Sequence, residues 1–187
     1  MADKKTLWSD AAVPGLVLGG ISTIYFIINT LISRIDPGNT GAALMGSAAD
    51  MILWAAKFIL CIVLMKRFMK TRSYNNPEAD NSAIFKFGCA VALLSAIVYS
   101  AFYLATVQFI FPDTFDKILD LLRDNPMIDS ASMEQLENLF PKLPSMTFFV
   151  NFFYCWLFGT ILSAIFSRNI PPVNPFAGQT TNNTDEQ

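Results

Sequence analysis

The 187-residue chain contains no histidine. That removes His-paired nucleophiles, His-ligated haem or zinc, and the usual imidazole proton relay. Charge is scarce too, at 15% of residues against about a quarter in an average soluble domain. The sequence also lacks a Walker-type glycine loop, a dinucleotide-binding fingerprint and paired cysteines. Its three cysteines, Cys61, Cys89 and Cys155, have no metal-type spacing and read as buried, inert thiols. An intramembrane aspartyl protease needs two carboxylates at depth, and only Asp50 is a candidate. The reading is therefore a non-enzyme with no cofactor, no metal site and no nucleic-acid partner.

Long apolar runs are what the sequence does have. Val13–Ile32, Phe87–Phe111 and Leu143–Ser167 carry no ionisable charge at neutral pH, and Ala42–Met65 carries only Asp50 and Lys57. A helix needs about twenty apolar residues to cross a hydrocarbon core of about 30 Å. The fold class expected is all-α: a polytopic membrane protein with four transmembrane helices, over about 13–33, 44–65, 87–111 and 145–167. Residues 1–168 form one membrane domain, and the polar tail 169–187, rich in Pro and Asn, is expected to be disordered. The N-terminal lysines resemble a signal peptide's charged region, but the apolar stretch is too long and no cleavage site follows promptly, so it reads as an uncleaved span. Pro14 is placed at that helix's start, and Trp8 at the interface.

The cations are unevenly shared between the two sides. Lys4, Lys5, Lys66, Arg67, Lys70, Arg72, Lys86 and Arg168 fall on one side, and Arg34, Lys117, Arg123 and Lys142 on the other. The positive-inside bias puts both termini in the cytoplasm. The basic loop after span two serves as a topology signal, with anionic-lipid binding as the alternative.

Between spans three and four, residues 112–144 read as two short amphipathic helices. Phe115, Ile118, Leu119 and Leu122 make the first apolar stripe, capped by Asp113 or Thr114, with Asp116, Asp120 and Asp124 opposite. A second starts near Ser132, with Gln135 as in a capping box, and presents Met133, Leu136, Leu139 and Phe140 until Pro141 and Pro144 end it. Such helices lie on the bilayer or cap the bundle.

Lys57 is out of place. A lysine at a helix centre costs about 2.5–3.5 kcal/mol to insert, and about nine Leu, Ile, Phe and Val residues of span two just offset it. Asp50 shares its helical face but lies about 10 Å away along the axis, against a lysine reach of about 6 Å. Matching depths places Asn29, Asp50, Gln108 and Asn151 in the outer third, one per span. Tyr25, Tyr99, Tyr103 and Tyr154 lie nearer the middle, with Lys57. The sharp reading is a polar pocket opening outward with Lys57 at its floor, for an anion, a lipid headgroup or a proton. The plain one is hydrogen bonding between helices, worth about 0.6 kcal/mol per residue. Gly15-x-x-x-Gly19, Ala96-x-x-x-Ser100 and Gly159-x-x-x-Ser163 permit close helix contact within or between chains. A homo-oligomer or a membrane-protein partner therefore stays open beside the lipid bilayer.

The segments "GLVLGGISTIYFIIN", "KFILCIVLMKRFMK" and "FKFGCAVALLSAIVYSAFYLATVQFIFPD", with a last span followed by "NPF", resemble a family of small bacterial four-span membrane proteins of unknown function. The resemblance implies fold and location, and carries over no activity and no functional residue. Three roles follow as expectations. The first is a structural or accessory membrane component. The second is a small transport or channel subunit using Lys57 and Asp50, and the third is a lipid-binding or envelope-sensing module.

Overall fold

The computed structural model describes residues 2–32, 40–77, 79–110, 119, 122–123 and 130–170. Within them the chain is helical and has no strand: α1 (Ala2–Ile32), α2 (Thr40–Asn75), α3 (Asn81–Ala105), α4 (Ser130–Leu139) and α5 (Leu143–Asn169). A π-helical turn, Thr106–Ile110, prolongs α3, and a 3-10 turn, Phe140–Lys142, joins α4 to α5. Among the described residues, four stretches are long and apolar enough to cross a membrane: Thr6–Ile32, Gly46–Asn75, Asn81–Ile110 and Met133–Asn169.

The helices run further than the apolar runs that predicted them. α1 begins well before Pro14, which lies buried inside the helix rather than at its start. The proline ring leaves the Asp10 carbonyl without its usual i+4 donor, while Asp10's side chain is engaged elsewhere by Arg72. α2 continues past Met65 as far as Asn75, so Lys66, Arg67, Lys70 and Arg72 lie on a helix and not in a loop. The connection to α3 is correspondingly short. Asp80 ends it as an N-cap, its Oδ1 accepting from the Ala83 N–H at 2.7 Å.

In the outer segment α4 starts at Ser130, two residues before the expected Ser132. Pro141 and Pro144 do not break the path into the last span. Each sits near the start of the turn or helix that contains it, where no intrahelical N–H is required. Arg123 donates to Glu137 Oε1 at 2.6 Å, tying α4 to the segment before it. Asp113, Thr114, Phe115, Asp116, Ile118, Asp120 and Asp124 of the expected first amphipathic helix fall outside the described residues, as does the tail from residue 171.

α3 is the central element. It packs along both α1 and α5, whereas α2 leans chiefly on α1 and touches α3 and α5 sparsely. Small residues make the close contacts. A Cβ on Gly15 would stand 2.6 Å from Leu94 Cβ, and one on Gly19 would stand 2.8 Å from Val98 Cβ. On the other flank Gly159 meets Ala92, and Ser163 Oγ donates to the Phe85 carbonyl at 3.0 Å. Ala96 and Ser100 are fully buried. The three small-residue motifs are thus used inside the chain, which is how helices approach when lipid supplies no hydrophobic drive.

At one end of the bundle Ala11, Met65, Met69, Ile84, Phe87 and Ile170 form a common cluster. Here the start of α1, the end of α2, the start of α3 and the end of α5 meet, so the helices run alternately up and down. Arg72 closes this end: its guanidinium pairs with Asp10 and lies 5.7 Å from the Phe87 ring centre.

Candidate functional site

Lys57 is held by aromatic faces. Its Nζ lies 4.9 Å from the centre of the Tyr25 ring on α1 and 5.3 Å from that of Tyr99 on α3. Both distances fall within the roughly 6 Å over which a ring quadrupole attracts a cation. Helical side chains lean toward the N-terminus, so Lys57 reaches back along α2 into the space between α1 and α3. Among the described residues no carboxylate forms an ion pair with it. Tyr25 is fixed in turn by Asn29, whose Nδ2 donates to the phenolic oxygen at 3.1 Å, one helical turn on.

Beside the lysine is a cavity of about 120 Å³. All four long helices line it: Leu18 and Ser22 of α1; Trp54, Lys57, Phe58, Cys61 and Met65 of α2; Ala92 and Ser95 of α3; Tyr154, Cys155, Phe158, Gly159 and Leu162 of α5. Its cause is the loose seating of α2. Small residues draw α1, α3 and α5 together, while Trp54, Phe58 and Phe158 prop α2 away from α5. The Trp54 and Phe58 rings stack at 5.4 Å, and the Phe58 and Phe158 rings meet at 5.1 Å.

The residues singled out from the sequence separate into two sets. Lys57, Tyr25, Tyr99 and Asn29 come together. Tyr103 instead packs its ring on Phe26 at 4.9 Å. Tyr154 lines the cavity edge while remaining 67% exposed on the outer face. Asp50, Gln108 and Asn151 do not line the cavity. Asp50 Oδ1 is buried with no hydrogen-bond partner among the described residues, and Gln108 is exposed in the π-helical turn. The cavity follows α2 from Trp54 to Met65. It therefore reaches about one turn past Lys57 on the Asp50 side and about two turns toward the basic end of that helix.

Several lining groups gave no signal in the sequence reading. Ser22, Ser95, Cys61 and Cys155 were available as small polar residues in register with Lys57, but only the packing shows that they face one space. The three cysteines are free, and no metal-ligand cluster occurs among the described residues.

Four long apolar helices around an aromatic-held lysine define a multi-pass membrane protein of the four-span bundle type. The chain belongs to the DUF4199 family, described as a protein of unknown function, whose profile matches residues 14–168. That match takes in the second and third spans whole and most of the first and last. No curated protein and no solved structure matches the chain.

Proposed function

We propose that the protein is a non-enzymatic structural or accessory component of the bacterial inner membrane, with both termini in the cytoplasm. The observation that carries this reading is the seating of Lys57 between Tyr25 and Tyr99. Lys57, within the apolar run of span two, fastens that helix to α1, on which it already leans, and across to α3, which it otherwise touches sparsely. Other polar groups in the spans serve the fold in the same way. Ser163 bridges to α3, and Thr30, Thr147 and Ser167 return to carbonyls of their own helices. The excess of cations at the end where Arg72 and Asp10 meet supports the cytoplasmic assignment of that end.

A second reading, a small transport or channel subunit, is favoured by the cavity beside Lys57. Two measurements on Lys57→Met separate them. For an accessory component, the variant melts several degrees earlier, and proteoliposomes of the wild type pass ions and small solutes no faster than empty vesicles. An equally stable variant, together with a wild-type flux that Lys57→Met abolishes, would establish the second reading instead.

A further inference from the structure

We propose that the cavity beside Lys57 binds a single-chain monocarboxylate, of the fatty-acid type, that enters sideways from the bilayer. This goes beyond the reading above and holds whether the protein supports other components or moves a solute.

Three features of the site define the ligand. The first is charge. Lys57 is half-buried among the helices and has no carboxylate in an ion pair among the described residues. Two tyrosine rings compensate an ammonium only in part, and a cation at membrane depth ordinarily has an anionic partner. Asp50, two turns away, is beyond its reach. A monoanion is the complement the site lacks, and the hydroxyls of Ser22 and Ser95, which line the same space, can donate to its second oxygen.

The second is size and lining. A cavity of about 150 Å³ admits a benzene-sized molecule, so about 120 Å³ takes a carboxylate with the first few methylenes of a chain. A two-tailed phospholipid headgroup with its glycerol is too large. Leu18, Phe58, Met65 and Phe158 suit an alkyl stem.

The third is access. Trp54 and Tyr154 line the cavity and are 52% and 67% exposed on the outer surface. They flank the gap between α2 and α5, which touch sparsely. A ligand already in the lipid reaches Lys57 through that gap without crossing water, and the rest of its chain stays among the acyl tails.

The test is equilibrium dialysis of radiolabelled octanoate against the full chain in phosphatidylcholine nanodiscs, with empty nanodiscs subtracted. The expected result is one saturable site per chain that neither octanol nor chloride competes for. Lys57→Met should weaken it about tenfold or more, as loss of a charge-assisted bond does. Cys61→Phe keeps the lysine and its rings but fills the cavity, and should weaken binding comparably with a nearly unchanged melting temperature. If Lys57→Met fails to fold, Cys61→Phe decides. Uptake no greater than in empty nanodiscs overturns the proposal. So does binding that survives cavity filling, and so does competition by octanol, which would mark a general apolar void. Competition by chloride would also overturn it, since the site would then take an inorganic anion from water.

Discussion

Gly159 lies so close to Ala92 that a Cβ added to it would stand 2.5 Å from the alanine's own Cβ. This contact sets the spacing between the central helix and the last span. Gly159→Ala forces the two apart and should destabilise the bundle by about 1–3 kcal/mol. Gly20 is the internal control, because nothing stands within 4 Å of a Cβ there. Gly20→Ala should be neutral or stabilising, by up to about 1 kcal/mol, from helix propensity alone. Thermal unfolding in one detergent reads both; equal effects would mean that the glycines do not act through packing.

Ser163 offers a measure of one interhelical hydrogen bond in this protein. It is fully buried, donates to the Phe85 carbonyl and lies against Gly88. Ser163→Ala should cost about 0.6 kcal/mol, the usual value for such a bond in a membrane. Ser163→Val should cost more, since its extra methyl has only Gly88 and its neighbours to enter. A valine variant as stable as the alanine one would show that the α3–α5 contact yields.

The seating of Lys57 depends on rings rather than hydroxyls. Tyr99→Phe keeps the π face and should leave the melting temperature nearly unchanged. Tyr99→Leu removes it and should cost about 1–2 kcal/mol. Tyr25→Phe should fall between them, because it also releases Asn29 Nδ2. If the Phe and Leu variants of Tyr99 melt together, the cation–π contact contributes nothing to the fold.

Arg72 joins three helices, pairing with Asp10 on α1 and covering Phe87 on α3. Asp10 is 40% exposed, so solvent screens the pair and Asp10→Asn should cost less than about 1 kcal/mol. That effect should shrink further at 1 M salt, where the Debye length is about 3 Å. Arg72→Ala loses the ring contact as well and should cost about 1–2 kcal/mol, much of it persisting at high salt. An Arg72→Ala effect abolished by salt would assign everything to the ion pair.

The four spans could be read from the sequence because hydrocarbon demands long runs without charge, and Val13–Ile32 or Phe87–Phe111 satisfy nothing else. The helix ends could not. Outside the membrane that demand lapses, and "KRFMKTRSYN" extends α2 because its basic residues are good helix formers. Pro14 looked like a beginning, and only the helix on both sides of it shows otherwise. At the site, depth along each span brought Lys57, Tyr25 and Tyr99 to one level. Depth carries no rotation about the helix axis, which is why Tyr103 turns to Phe26 and Gln108 faces outward. The cavity itself had no signature, since it arises where bulky Trp54 and Phe58 keep α2 from seating as closely as the glycine-lined helices do.

The glycine faces of α1 and α5 are turned inward, so the outer wall is left to larger apolar groups: Met51, Ile52 and Ile59 on α2, and Phe149, Val150 and Phe153 on α5. Such side chains are chemically interchangeable with acyl tails. An association through them has no fitted surface to fix its geometry, and its strength follows the thickness and fluidity of the surrounding lipid as much as the identity of the neighbour.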